Sequence, residues 1–169
     1  MREFRSKRLT FEIIAQLHGA KLYEALGHPD VHQFIDSKDF LSLQSISDFI
    51  NRVSRGPQMD SSDEWLNVVC FLEHKVIGLV QATLHGDWAE IAFLFSPTFQ
   101  GKGYATEAVT WLINFLHEDR KIAEFWATTV PENRRSIALL MRTGFLEGEV
   151  SEREILSYDA GDLVYKRTL

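Results

Sequence analysis

Residues 95–108 read Phe95-Ser96-Pro97-Thr98-Phe99-Gln100-Gly101-Lys102-Gly103-Tyr104-Ala105-Thr106-Glu107-Ala108. The stretch leaves an apolar run, Ala89 to Phe95, and enters a segment in which Ala105, Ala108, Val109, Leu112, Ile113 and Leu116 recur at helical spacing. Pro97 closes the run as a strand, and Tyr104 to Leu116 is an amphipathic helix packed on a sheet. A helix start leaves its first backbone N–H groups without internal partners and carries positive dipole, so an anion can sit there without a basic side chain. Gly101 and Gly103 let the main chain approach that anion closely, and Lys102 adds charge at the rim. On this segment alone, a plain strand-to-helix turn accounts for the glycines equally well. It is not a Walker A loop, since no Gly-Lys-Ser/Thr follows. A dinucleotide fingerprint is equally poor, because the third glycine is missing and no βαβ start precedes.

Upstream, Trp65 to Leu72, Val76 to Leu84 and Trp88 to Phe95 are strand-like runs separated by Glu73-His74-Lys75 and His85-Gly86-Asp87. Such short turns predict an antiparallel meander. The near-continuous apolar content from Ala89 to Phe95 predicts burial on both faces. Before the meander, Ser6 to Ile14 suits a strand. Ala15, Leu17, Leu22, Ala25 and Leu26 form a helical stripe ended by Gly27-His28-Pro29, and a second helix covers Ser45 to Val53. Arg55 to Glu64 is a loop. Downstream come a strand from Ile122 to Val130, a helix from about Asn133 to Arg142 ended at Gly144, and strands at Phe145 to Val150 and Leu163 to Lys166.

The 169 residues fit one domain, and 45% hydrophobic with 25% charged residues is a globular composition. A net charge of −6 argues against direct nucleic acid binding and mildly favours a cationic substrate. The lone cysteine, Cys70, excludes an internal disulfide and fits the cytoplasm; in an apolar run it reads as core. Met1 to Leu9 is charged, so neither a signal peptide nor a membrane anchor is expected. His28 and His32 are four apart, but Pro29 breaks the helical face they would need, and no metal is expected.

Gln100, Gly103 and Ala105 satisfy the pattern Gln/Arg-x-x-Gly-x-Gly/Ala and resemble the acetyl-CoA motif of the GNAT superfamily. Ala89-Glu90-Ile91-Ala92-Phe93, Ser96-Pro97, and Asn133-x-x-Ser136 followed by Gly144-Phe145 resemble that family's other signatures in order and spacing. The similarity covers roughly Trp65 to Val150. Gly101 to Ala108 is most similar to the RimJ/RimL branch, the ribosomal-protein N-terminal acetyltransferases, whose members act on protein N-termini, antibiotics, polyamines and small amines.

The resemblance implies an α/β fold with a mixed, mostly antiparallel central sheet, splayed at a bulge where the pantetheine arm of acetyl-CoA adds as a pseudo-strand. Phe93, Leu94 and Phe95 would pair with it, Gln100, Gly101, Lys102, Gly103, Tyr104, Ala105 and Thr106 would hold the diphosphate, and Asn133 and Ser136 would complete the cofactor site. The N–H of Leu94 would polarise the thioester carbonyl. Glu90 would act as general base, directly or through water; a solvent-facing or ion-paired carboxylate is the competing reading. The family's usual acid, a tyrosine, falls at Leu140, so Ser136 would protonate the leaving thiolate unless it is merely a helix-surface hydroxyl. Asn133 is also a ready helix cap. Asp36, Asp39, Asp60, Asp63, Glu64, Tyr158 and Asp162 are candidates for the acceptor side, and a homodimer is compatible with the resemblance. The readings from other classes are a non-catalytic acyl-CoA-binding regulator and an interaction protein of the same fold.

Overall fold

A computed structural model describes residues 4–169, so the first three residues of the charged Met1 to Leu9 stretch lie outside it. Its strands are β1 (Phe4–Arg5), β2 (Leu9–Ile13), β3 (Glu64–Leu72), β4 (Lys75–Leu84), β5 (Trp88–Phe95), β6 (Glu124–Thr129), β7 (Leu146–Glu147) and β8 (Leu163–Thr168). Its helices are α1 (Gly19–Leu26), α2 (Leu43–Arg55), α3 (Tyr104–Arg120) and α4 (Arg134–Arg142). The strands form one sheet in the order β1-β2-β3-β4-β5-β6-β8-β7. Every pairing is antiparallel except β5 with β6, which the α3 crossover makes parallel.

Helices cover both faces. Ala108, Val109, Leu112, Ile113 and Leu116 of α3, with Leu139 and Leu140 of α4, pack on Val80, Ala82, Ala89, Ile91 and Phe95. On the other face Leu22, Ala25 and Leu26 of α1 and Ile46, Phe49 and Ile50 of α2 cover Val69, Phe71 and Leu79. Both stripes are those of the helical periodicity, and alternation along the strands assigns the two faces.

Several boundaries move for local reasons. The expected strand Ser6 to Ile14 is broken because the Ser6 hydroxyl accepts from the Leu9 N–H at 3.3 Å and donates to Glu107 at 2.6 Å, folding β1 back on β2. The first helix begins as a 3-10 turn at Gln16–His18, since His18 Nδ1 accepts the Ala15 N–H. Phe145 to Val150 keeps only two strand residues; Gly148 passes so close to Trp126 that an added Cβ would lie 2.8 Å from its ring. Ser42 caps α2, accepting from the Ser45 N–H, an arrangement worth about 1 kcal/mol.

Candidate active site

The parallel pairing of β5 with β6 is brief: Trp88 with Glu124, Ala89 with Phe125 and Glu90 with Trp126. Beyond it, Ile91 to Phe95 pair with β4 alone and Ala127 to Thr129 with β8 alone among the described residues. The sheet opens there into a wedge roughly 16 Å deep, at about 3.3 Å per residue, closed at Glu90 and open toward α3. No bulge causes the opening. The register of β4 with β5 runs without interruption, and the irregularity lies one strand away, between Cys70 and Phe71, where Ile77 is the extra residue of β4. The expected bulge in β5 is therefore corrected to a plain divergence of β5 from β6.

Uninterrupted register also decides which groups face the wedge. His85 N–H donates to the Trp88 carbonyl at 2.8 Å and Ser96 N–H to the Ile77 carbonyl at 2.9 Å. In an antiparallel ladder alternate residues point the same way, so Trp88, Glu90, Ala92, Leu94 and Ser96 spend their backbone groups on β4. The Leu94 carbonyl indeed lies toward Gly78, 2.6 Å from where a Cβ there would stand. The Leu94 N–H, expected as the oxyanion donor, thus points at β4, and the N–H groups of Phe93 and Phe95 are those turned into the wedge.

At its open end α3 starts on Gly103, which has φ 79° and no capping side chain, while Gly101 has φ 75°. The first helical bond runs from the Glu107 N–H to the Gly103 carbonyl, leaving the N–H groups of Tyr104, Ala105 and Thr106 for an anion. These residues suit the diphosphate of acetyl-CoA, since an open strand edge and an uncapped helix start meet at one wedge. Basic side chains that sequence reasoning missed surround the loop. Arg8 Nε donates to Glu107 at 2.6 Å, Arg8 Nη1 donates to the Lys102 carbonyl at 3.0 Å, and the guanidinium lies over the Tyr104 ring. Arg135 donates to Gln100 Oε1, and Gln100 Nε2 reaches the Phe95 carbonyl at 3.5 Å. No spacing rule links residue 8 to residue 107, so this brace was invisible in the sequence.

Asn133 caps α4 by accepting from the Ser136 N–H at 3.1 Å. The Ser136 hydroxyl itself makes no hydrogen bond to a described residue and is half-buried. Leu140, in place of the tyrosine, is fully buried in the core.

Glu90 is 4% exposed, at the closed end of the wedge. It is neither solvent-facing nor loose: Oε1 accepts from the Leu156 N–H at 2.8 Å and from His85 Nε2 at 3.0 Å, and Oε2 from the Ser157 N–H at 2.9 Å. On the same face Ala92 is exposed in mid-strand, which corrects the expectation of burial on both sides of β5. Beside it, Gln81 Nε2 donates to Asn67 Oδ1 at 2.6 Å. The row Ala92, Gln81 and Asn67 is a polar floor between the α1–α2 cover and the Leu156-Ser157 segment. Two amides on otherwise apolar strands were a usable signal for it.

Several other acceptor-side candidates have partners of their own. Asp39 pairs with Arg52 at 2.9 Å and Glu64 with Arg120 at 3.0 Å; Asp162 accepts from the Asp159 N–H and serves its own turn. Tyr158 packs with Trp126, Ile155 and Val164. Burial pushes the Cys70 thiol far up, which suits a core residue and not a nucleophile.

A parallel pair prised open beside an uncapped, glycine-led helix fits an extended ligand with an anionic end. The chain belongs to the family described as the acetyltransferase (GNAT) domain, which matches residues 8–146. It is an acetyl-CoA-dependent N-acetyltransferase. The fold is shared with RimL, described as a ribosomal L7/L12 alpha-N-protein acetyltransferase in complex with coenzyme A, at TM-score 0.81 and 17% identity over 99% of this chain and 98% of that one. A putative ribosomal-protein-serine acetyltransferase from Vibrio cholerae matches at TM-score 0.79 and 20% identity, covering 99% of this chain and 98% of the other. The Microcin C7 self immunity acetyltransferase MccE, in complex with acetyl-CoA and AMP, matches at 0.78 and 21% identity over 97% and 94%. Among the described residues no helix is long and apolar enough to cross a membrane.

Proposed function

We propose that residues 1–169 work as one cytoplasmic domain that brings acetyl-CoA and a primary amine, either a protein N-terminus or a small-molecule amine, together in a ternary complex. The observation that carries this reading is the wedge itself, with diphosphate donors at its mouth and a buried carboxylate at its closed end. Acetyl-CoA supplies an acyl carbon activated as a thioester. Tyr104, Ala105 and Thr106 N–H groups, with Gly101, Lys102 and Gly103, hold the diphosphate; Gln100 and Asn133 brace the same end. Phe93 and Phe95 present main-chain groups to the extended arm, and the Phe93 N–H, nearer the closed end, donates to the carbonyl oxygen as charge gathers on it.

An ammonium acceptor must lose two protons for each amide made: one returns on sulfur and one leaves to solvent. Glu90 takes the proton of the amine through Oε2, directly or through one water, because a carboxylate offers about four acceptor positions and three are filled. The Ser136 hydroxyl, uncommitted among the described residues, donates to the departing sulfur. The acceptor reaches the thioester over Ala92, Gln81 and Asn67.

Thiol release measured against N-terminal peptides, including those of ribosomal proteins, polyamines and aminoglycosides tests the reading. Turnover with one amine class is expected, and coenzyme A uptake without turnover across the panel would contradict it. Ser136→Ala should lower kcat about tenfold or more with the KM for acetyl-CoA nearly unchanged; full turnover would remove Ser136 from the chemistry.

A further inference from the structure

We propose that His85 and Asp63 are positioning residues for Glu90, fixing its carboxylate so that a single acceptor position on Oε2 is left for the proton of the amine. The inference rests on the reading of Glu90 as base and names the groups through which that base is aimed.

Three segments, at Asp63, at His85 to Glu90 and at Leu156-Ser157, meet in the cluster around this carboxylate. His85, in the β4–β5 turn, places Nε2 3.0 Å from Glu90 Oε1 and Nδ1 2.9 Å from Asp63 Oδ1, in the loop before β3. Each ring nitrogen faces a carboxylate oxygen, so both contacts are satisfied when the ring donates from both. Trp88 stacks on the imidazole with centroids 4.2 Å apart, which blocks ring rotation. From the opposite side the consecutive N–H groups of Leu156 and Ser157 close on Oε1 and Oε2. Oε1 thus receives two donors and Oε2 one. Among the described residues no other basic side chain pairs with Glu90, and side-chain exposure rises outward from 5% at Glu90 through 11% at His85 to 23% at Asp63.

A purely structural clasp would need only the two backbone donors to hold the Leu156-Ser157 segment. The histidine adds something different: it occupies the second position of Oε1 and so prevents the carboxylate from turning its other oxygen to the substrate. Asp63 in turn holds the ring with Nε2 toward Glu90. A base fixed in this way loses no orientation on reaching the transition state.

Steady-state kinetics of His85→Phe, His85→Gln and Asp63→Asn test the proposal, with thermal unfolding recorded for each. Phenylalanine keeps the stack on Trp88 and removes the donor; glutamine restores an N–H donor of similar reach. The expected result is a kcat about tenfold or more lower in His85→Phe, with the KM for acetyl-CoA within about twofold, and recovery of most of that loss in His85→Gln. Asp63→Asn, which keeps an oxygen facing Nδ1, should lose only a few-fold. Wild-type kcat in His85→Phe overturns the proposal, as does a His85→Gln variant as slow as His85→Phe with an unchanged thermal midpoint. Glu90→Gln, measured alongside, separates the two claims. If it is inactive while His85→Phe is fully active, the positioning falls and the base remains; if it retains full activity, the base reading falls and takes the positioning with it.

Discussion

Gly103 holds a left-handed conformation at the one place where α3 must begin without a cap, and a Cβ there would stand 3.4 Å from Arg8 Nη2. Gly103→Ala should therefore cost about 1–2 kcal/mol of backbone strain, lower the thermal midpoint by roughly 2–8 °C and weaken coenzyme A binding several-fold by calorimetry. A variant with wild-type affinity would show that the loop backbone does not grip the diphosphate. Glu107 sits four residues on. Burial alone would push its carboxyl up, but donation from the Ser6 hydroxyl, the Arg8 N–H and the Arg8 guanidinium outweighs this and holds it below its ordinary value. A lowered value means that the unfolded chain binds the proton more tightly, so the pair stabilises fully above the ordinary carboxylate value, about 4.3, and ceases to do so as pH falls through the folded one. Denaturation midpoints of wild type and Glu107→Gln should accordingly converge as pH falls below the ordinary carboxylate value, about 4.3; a gap that stays constant throughout the acid titration would rule this linkage out. At this scale the sequence was readable where chemistry is local. Gly101, Gly103 and the Asn133 cap could be found from their neighbours, whereas the fate of the Leu94 N–H depends on ladder parity, and that of Glu90 on Leu156, 66 residues away.

Elements were easier to foresee than their edges. The meander and the α3 crossover follow from turn chemistry and periodicity, and β4 and β5 run within a residue of the expected bounds. What pattern could not show was that β5 would be open on the α1–α2 side, because Ala92 is compatible with burial and with exposure alike. One glycine between these strands matters more than its strand position suggests. A Cβ on Gly78 would stand 2.4 Å from Phe95 Cδ1 and 2.6 Å from the Leu94 carbonyl, so β4 tolerates no side chain where it supports the open edge of β5. Gly78→Ala is expected to destabilise by about 1–3 kcal/mol through overpacking and to raise the KM for acetyl-CoA, since Phe95 must shift into the wedge. Unchanged urea midpoint and unchanged KM would show that the wedge does not depend on this contact.

Across the whole molecule the sheet behaves as two parts: β1 to β5 on one side of the wedge, and β6, β8 and β7 on the other, joined between β5 and β6 by three residue pairs and by the clasp on Glu90. A ligand that adds along the free edge of β5 while lying against β6 replaces the missing part of this seam, and it can do so only in the folded state. Binding should therefore stabilise the entire chain cooperatively, by about 2.7 kcal/mol when free coenzyme A is at a hundred times its dissociation constant. For a chain of this length that corresponds to a rise in thermal midpoint of roughly 5–11 °C. The cradle variant Gly103→Ala should show a smaller rise at the same ligand concentration, because its dissociation constant is larger, while His85→Phe should show the full rise, because its defect lies at the acceptor side of the seam. Equal rises in all three proteins would mean that coenzyme A is held by something other than the helix start and the open strand edge.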